Sequence, residues 1–133
     1  MVLSYILWKR FDVYMTLNGV IAGLVAITAE PLTPTPGMAI VIGAIGALIM
    51  YFGTKMLESF GLDDVVGAIP VHMFAGIFGT LVVPVSNPDT SFGTQLIGTF
   101  SVCAFSFVLS YALFTALKTT VGLRISKAAE KQG

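Results

Sequence analysis

Charged residues are scarce in this chain of 133 residues: they make up 11% of it, against 56% hydrophobic residues. Soluble domains carry about a quarter charged residues, so the composition predicts an integral membrane protein. The seven basic and seven acidic residues cancel to a formal net charge of zero, with histidine counted as neutral. Neither a nucleic-acid-binding surface nor a polybasic patch for the membrane surface is therefore indicated, and we expect no nucleic-acid partner.

Cysteine occurs once, at Cys103, and histidine once, at His72. One cysteine excludes a disulfide within the chain and a multi-cysteine metal site. The long apolar segments contain no pair of carboxylates, and the chain has no nucleophile–base motif and no phosphate-binding loop, which argues against an enzyme. The sequence therefore predicts no metal site, no cofactor and no catalytic residue.

Four long apolar stretches take up most of the chain, at about residues 12–29, 37–57, 65–85 and 94–118. Each is close to the roughly 20 residues that a helix needs to cross about 30 Å of hydrocarbon. A shorter apolar stretch comes before Lys9. Basic residues follow it, whereas those of a signal peptide precede the apolar core, so we interpret it as the cytoplasmic end of a preceding helix. The expected fold is all-α: one membrane domain over residues 1–133, with four transmembrane helices and the tail of another.

The basic residues also predict an orientation. They fall at the start of the first long stretch, between the second and the third, or after the fourth: Lys9, Arg10, Lys55, Lys118, Arg124, Lys127 and Lys131. The connections at residues 30–36 and 86–93 carry none. Because cytoplasmic loops are rich in Lys and Arg, the C-terminus and the connection between the second and third helices are expected in the cytoplasm.

His72 lies in the third stretch, which has no charged residue between positions 65 and 85. An imidazole at this depth is costly unless it faces protein or a water-filled path. Helical steps of three and four residues place it on one face with small side chains: Ala68, Ala75, Gly76, Gly79 and Thr80. Small residues mark close helix approach in membranes and also leave room for a lumen, so His72 is expected to face inward. A functional role and a satisfied packing contact both remain open.

Residues of the first stretch have structural interpretations. Asn18 fits a buried hydrogen bond between helices better than a substrate ligand. Gly19 and Gly23 have the G-x-x-x-G spacing of a helix-packing pair. We therefore expect this helix to pack closely against its neighbours.

Two carboxylates and a proline lie around the start of the third helix. Asp63 and Asp64 come where acidic side chains cap the positive N-terminus of a helix; a direct functional role is the alternative. Pro70 removes a backbone donor within the first turns. It is expected to bend the helix beside His72.

Three motifs then occur in an order that resembles one membrane protein family. Residues 17–29 read LNGVIAGLVAITA, residues 63–80 read DDVVGAIPVHMFAGIFGT, and residues 121–124 read VGLR. They resemble the signatures of the ammonium transporter (Amt) family, within the Amt/Mep/Rh superfamily. The resemblance covers essentially the whole of this chain. It corresponds, however, only to the C-terminal part of a family member. It implies the last four helices, and the tail of the helix before them, of an eleven-helix fold.

The resemblance also implies a function. Family members form homotrimers in which each monomer encloses a narrow apolar pore, with two facing histidines, for ammonium or ammonia. His72 matches the second histidine, and Ala68 and Gly76 become candidate pore-lining residues. The first histidine, an aromatic gate and the outer recruitment residues would belong to the N-terminal half, which is missing here.

The chemistry of this transport suits an imidazole. Ammonium loses much hydration energy on entering an apolar tube and ammonia does not, so such a path favours release of the proton at the entrance. An imidazole donates a hydrogen bond through one ring nitrogen and accepts one through the other. Two rings in contact would therefore hold ammonia or relay its proton.

Location and partners are implied in outline. The default location is a bacterial inner (plasma) membrane, with the C-terminus in the cytoplasm. A PII-type signalling protein plugs the cytoplasmic face of some members, although no residue of this chain supports that partner. The alternative to transport is a non-transporting fragment, or an accessory membrane subunit that retains the fold.

Overall fold

The computed structural model describes residues 2–131, without the side chains of residues 3, 7, 8, 127 and 128. Its regular elements are helices, and no strand occurs among the described residues. In chain order they are α1 (Val2–Trp8), α2 (Val13–Ile27), α3 (Pro36–Ser59), α4 (Ile69–Ser86), α5 (Phe92–Thr120) and α6 (Lys127–Glu130). The first part of α4 is a π-helix, Ile69–Phe74, which we name the π segment. The expected all-α fold class is confirmed.

Three of the described helices, α3, α4 and α5, are long and apolar enough to cross a membrane. Helix α2 is apolar too, but its 15 residues correspond to a length of about 22 Å at 1.5 Å per residue. Helix α4 begins at Ile69 rather than at residue 65, because residues 65–67 form a turn that ends at Gly67 with a φ of 74°.

The chain divides into two compact units, Met1–Leu96 and Ile97–Gly133. Helices α1 to α4 lie in the first unit. The second contains most of α5 and all of α6. Within it the rings of Phe107 and Tyr111, one helical turn apart, stack with centroids 6.2 Å apart. This division does not test the expectation that residues 1–133 form one membrane domain, which stays a prediction.

Side chains at the helix ends hold the boundaries of α2 and α3. Asp12 precedes α2, and its carboxylate accepts a hydrogen bond from the backbone N–H of Met15 at 2.9 Å. The Thr35 hydroxyl accepts one from the N–H of Met38 at 3.3 Å, and Pro36 occupies the first position of α3. Both are N-caps that satisfy backbone donors without a partner inside the helix.

Glycine lets α2, α3 and α4 pack with their backbones close together. A Cβ atom on Gly23 of α2 would lie 3.1 Å from the carbonyl oxygen of Gly43 on α3, and one on Gly46 would lie 2.7 Å from the Cβ of Ala26. A Cβ on Gly79 of α4 would lie 2.9 Å from the Cα of Ala26. Since lipid is as apolar as the side chains, such close van der Waals contact is what holds helices together in a membrane.

Candidate functional site

The π segment carries His72 and has an unusual hydrogen-bond pattern. The N–H of Ala75 donates to the carbonyl of Pro70, five residues earlier, as well as to that of His72. Pro70 is the second residue of this segment, in the first turn of a helix, where its missing N–H leaves no helical hydrogen bond unmade. Such π turns occur frequently at functional sites.

The imidazole of His72 is exposed, whereas its neighbours Pro70 and Val71 are buried. Val71 and Ala75 pack in one apolar cluster with Ala22 of α2 and Met50 of α3. His72 therefore lies outside the contacts that the helices of this unit make with one another. Its ring can therefore contact any polypeptide or lipid that covers this side of α4.

The prediction that His72 shares a face with Ala75 and Gly79 is wrong. Both residues are buried within the unit, while His72 and Ala68 are exposed. The prediction assumed 3.6 residues per turn throughout, whereas the π segment closes its turn one residue later and so changes which side chains align. With respect to the other helices of its own unit, His72 faces outward.

The other residues predicted near His72 lie at the edge of the packed face. Gly76 and Thr80 are half-buried, and the Thr80 hydroxyl donates to the carbonyl of Gly76 at 3.0 Å. A Cβ on Gly76 would lie 3.7 Å from Cγ1 of Val25, which is ordinary van der Waals contact. The exposed residues Ala68 and His72 thus form the open part of the site.

Asn18 supplies the hydrogen-bond donor for a carbonyl in the turn before α4. Val66 lies in that turn, four residues before Pro70, which has no N–H to donate to it. Here the buried Asn18 side chain of α2 donates to the carbonyl of Val66 through Nδ2 at 3.2 Å. This bond ties α2 to the turn that leads into the π segment.

Asp64 supplies the cap at the start of α4. One carboxylate oxygen accepts from the N–H of Ala68 at 2.9 Å, and the other accepts from the N–H of Ile69 at 2.8 Å. Both bonds satisfy donors at the positive end of the helix. Asp63 is exposed beside it, and the described structure shows no hydrogen bond to its carboxylate.

Gly19 and Gly23 lie along the side of α2 that meets α3. A Cβ on Gly19 would lie 3.6 Å from Cε of Met50 and 3.9 Å from the Cβ of Ala47. Gly23 makes the tighter approach, against the backbone of Gly43. The two glycines are therefore in contact with α3 rather than with the His72 side of α4.

A pocket of about 240 Å³ lies where the start of α4 meets α2 and α3. Among the residues that line it are three with carboxylates, Glu58, Asp63 and Asp64, together with Tyr14 and Thr54. The Thr54 hydroxyl is buried and donates to the carbonyl of Met50 at 2.9 Å.

Three residues that shape this region escaped the sequence analysis: Tyr14, Gly53 and Thr54. Tyr14 lies close to Gly67 and Gly53 lies against Pro70 and Phe74, contacts between segments that are distant in sequence. Thr54 lines the pocket and bonds within α3, and none of the three belongs to one of the sequence motifs. For Gly53, the available signal was a glycine inside a long helix, because such a residue often marks close packing.

Comparison with known proteins gives a consistent result. A model described as the Ammonium Transporter Family matches residues 1–133. Ammonium transporter Amt2 of Archaeoglobus fulgidus is 39% identical over an alignment that covers 92% of this chain and 30% of the relative. A putative ammonium transporter of Synechocystis is 34% identical, with 94% of this chain and 29% of the relative covered. Ammonium transporter Amt2 of Methanocaldococcus jannaschii is 34% identical, with 94% and 32% covered.

The chain thus spans about 30% of the length of these curated relatives. The family model nevertheless covers every residue, and three of the described helices have the length and composition of membrane spans. This chain therefore belongs to the ammonium transporter family and is an integral membrane protein.

Proposed function

We propose that this chain forms one wall of a pore that carries ammonium or ammonia across a membrane. The observation that carries the proposal is the exposed imidazole of His72 on an otherwise apolar helix. An unpaired imidazole facing lipid would be costly. A pore-facing position removes that cost, and the relatives that match this chain are named as ammonium transporters.

The opposite wall would come from polypeptide outside these 133 residues. Relatives are about three times as long as the matched segment, so they contain further polypeptide that could cover the open side of α4. A second histidine on that wall would complete a twin-histidine site. Ala68 is exposed beside His72, and half-buried Gly76 lies one turn further along α4; both would line the pore.

The same proposal extends to the assembly and location of the complete transporter. We expect a homotrimer of complete transporters in a bacterial plasma membrane, with the C-terminus in the cytoplasm. The orientation rests on the basic residues, which are confined to one side of the predicted topology. A PII-type regulator would then meet the side that carries the Lys55–Glu58 ion pair, whose atoms are 2.8 Å apart.

The experiment uses a completed transporter, in which this chain replaces the matching C-terminal segment of the Archaeoglobus fulgidus relative. His72→Ala should abolish selective ammonium uptake in proteoliposomes and change the current carried per ammonium, because the dry section of the pore loses a hydrogen-bonding group. Thr80→Ala is the matched control: it lies on the same helix, and its hydroxyl bonds only within that helix. Unchanged uptake, selectivity and current in the His72 variant would refute the proposal.

A further inference from the structure

Helix α3 meets the π segment at a glycine. A Cβ atom built on Gly53 would lie 2.5 Å from Cδ2 and 3.0 Å from Cε2 of Phe74, and 3.1 Å from the Cβ of Pro70. Gly53 is itself buried. The backbone of α3 therefore lies directly against both ends of the π segment, with no room for a side chain between them.

The two neighbours of Gly53 differ in how far they would have to move to admit a methyl group. Cδ2 of the half-buried Phe74 lies 2.5 Å from the Cβ position, so the Phe74 side chain would have to move furthest. The Cβ of Pro70 lies 3.1 Å away and would have to shift by only a few tenths of an ångström. A methyl group at position 53 would push the π segment away from α3.

His72 lies between these two contacts, two residues from Pro70 and two from Phe74. Its direction around the helix depends on the wide turn, since the same sequence wound as a regular α-helix aligns it with Ala75 and Gly79. Whatever holds the π segment against α3 therefore also sets where the imidazole points.

We infer that Gly53 is a positioning residue for His72: its missing side chain lets α3 hold the π segment, and this directs the imidazole to the open side of α4. The inference rests on the proposed role of His72 in the pore. Gly53 itself need not touch ammonia.

Transport by the completed transporter gives the first test. Gly53→Ala should reduce ammonium uptake roughly 100-fold, the loss that a displacement of about 1 Å causes at a reacting group. The double variant Gly53→Ala/Phe74→Ala lacks the ring that the new methyl group would contact, so it should recover most of the uptake. Gly37→Ala is the control on the same helix, because a Cβ there meets no atom within 4 Å.

The imidazole signal gives a second test that does not depend on transport. His72 is the one histidine in these 133 residues, so histidine labelled with ¹⁵N gives the ring resonances of a single residue when this chain is studied in detergent micelles. Gly53→Ala should shift both ring nitrogen resonances, the double variant should return them toward their original positions, and Gly37→Ala should leave them in place.

The outcomes separate this inference from the proposed function. If His72→Ala leaves transport intact, the pore role fails, while the resonances still report whether Gly53 sets the direction of the ring. If Gly53→Ala changes neither uptake nor resonances, the positioning role fails. It also fails if the double variant recovers neither, or does not fold, because removing the Phe74 ring should make room for the methyl group.

Discussion

At the scale of single residues, the turn before α4 depends on Gly67. Its φ of 74° is in the left-handed region, which costs other residues about 1–2 kcal/mol. A Cβ there would also lie 2.7 Å from the Tyr14 hydroxyl and 2.8 Å from Nδ2 of Asn18. Glycine is thus required at this position for its backbone conformation and for space.

The two requirements can be measured separately. Gly61 also has a positive φ, 68°, but a Cβ there would meet no atom within 4 Å. Gly61→Ala should therefore lower the free energy of unfolding by the backbone cost alone, about 1–2 kcal/mol. Gly67→Ala should cost a further ~1–3 kcal/mol for overpacking. Denaturation in mixed micelles measures both, and equal losses would show that α2 does not restrict this turn.

Asn18 is the second residue that the turn requires. Asn18→Ala leaves the carbonyl of Val66 without its donor, which should cost about 1–3 kcal/mol of unfolding free energy. In a Pro70→Ala background, the restored N–H of residue 70 can bond to the same carbonyl, so Asn18→Ala should then cost less. A double-mutant cycle gives the coupling. Strict additivity would mean that Asn18 does not substitute for the donor that proline lacks.

At the scale of helices, α4 begins at a cap supplied by one of two adjacent aspartates. Asp64 accepts from two backbone N–H groups, whereas Asp63 is exposed and has no such bond in the described structure. Asp64→Ala should lower the free energy of unfolding by about 0.5–2 kcal/mol, the usual cost of losing an N-cap. Asp63→Ala removes the same charge one residue earlier and should cost much less. Equal losses would point to a general charge effect instead of capping.

Hydropathy predicted the helices well because the requirement to span a bilayer leaves a strong signal in sequence. The long apolar stretches at 37–57 and 94–118 correspond to α3 and α5, with ends that differ by a few residues. Gly23, which the G-x-x-x-G spacing marks for helix packing, likewise lies where α2 meets α3. Composition and residue spacing suffice to predict such features, because each depends on one helix and on the helices beside it in the membrane.

The direction of His72 was not predictable in the same way. A helical-wheel argument assumes one winding, but the π segment depends on the contact of Pro70 with Gly53, which lies 17 positions earlier in the chain. A glycine inside α3 indicates close packing, but no local pattern shows which segment packs against it. The wrong grouping of His72 with Ala75 and Gly79 therefore came from a tertiary interaction that altered the local winding.

At the scale of the whole molecule, the helices that pack with α4 in its unit leave uncovered the side that carries His72. Ile69 is 38% exposed and Met73 51% exposed on either side of the histidine. In relatives, the matched segment is about 30% of the polypeptide, so much of the protein that could cover this side lies outside these 133 residues. A pore with one wall cannot exclude lipid or water from its path.

We therefore expect that this chain alone does not conduct ammonia. Cells without their own ammonium transporters, grown on limiting ammonium, should not be rescued by the 133 residues, whereas the completed transporter should restore growth. The completed transporter with His72→Ala is the control that shows whether growth depends on the pore. Membrane fractions must show that all three proteins are inserted. Rescue by the chain alone would contradict the expectation. It would mean that copies of this chain cover each other's open side, with His72 residues facing across a pore that they build together.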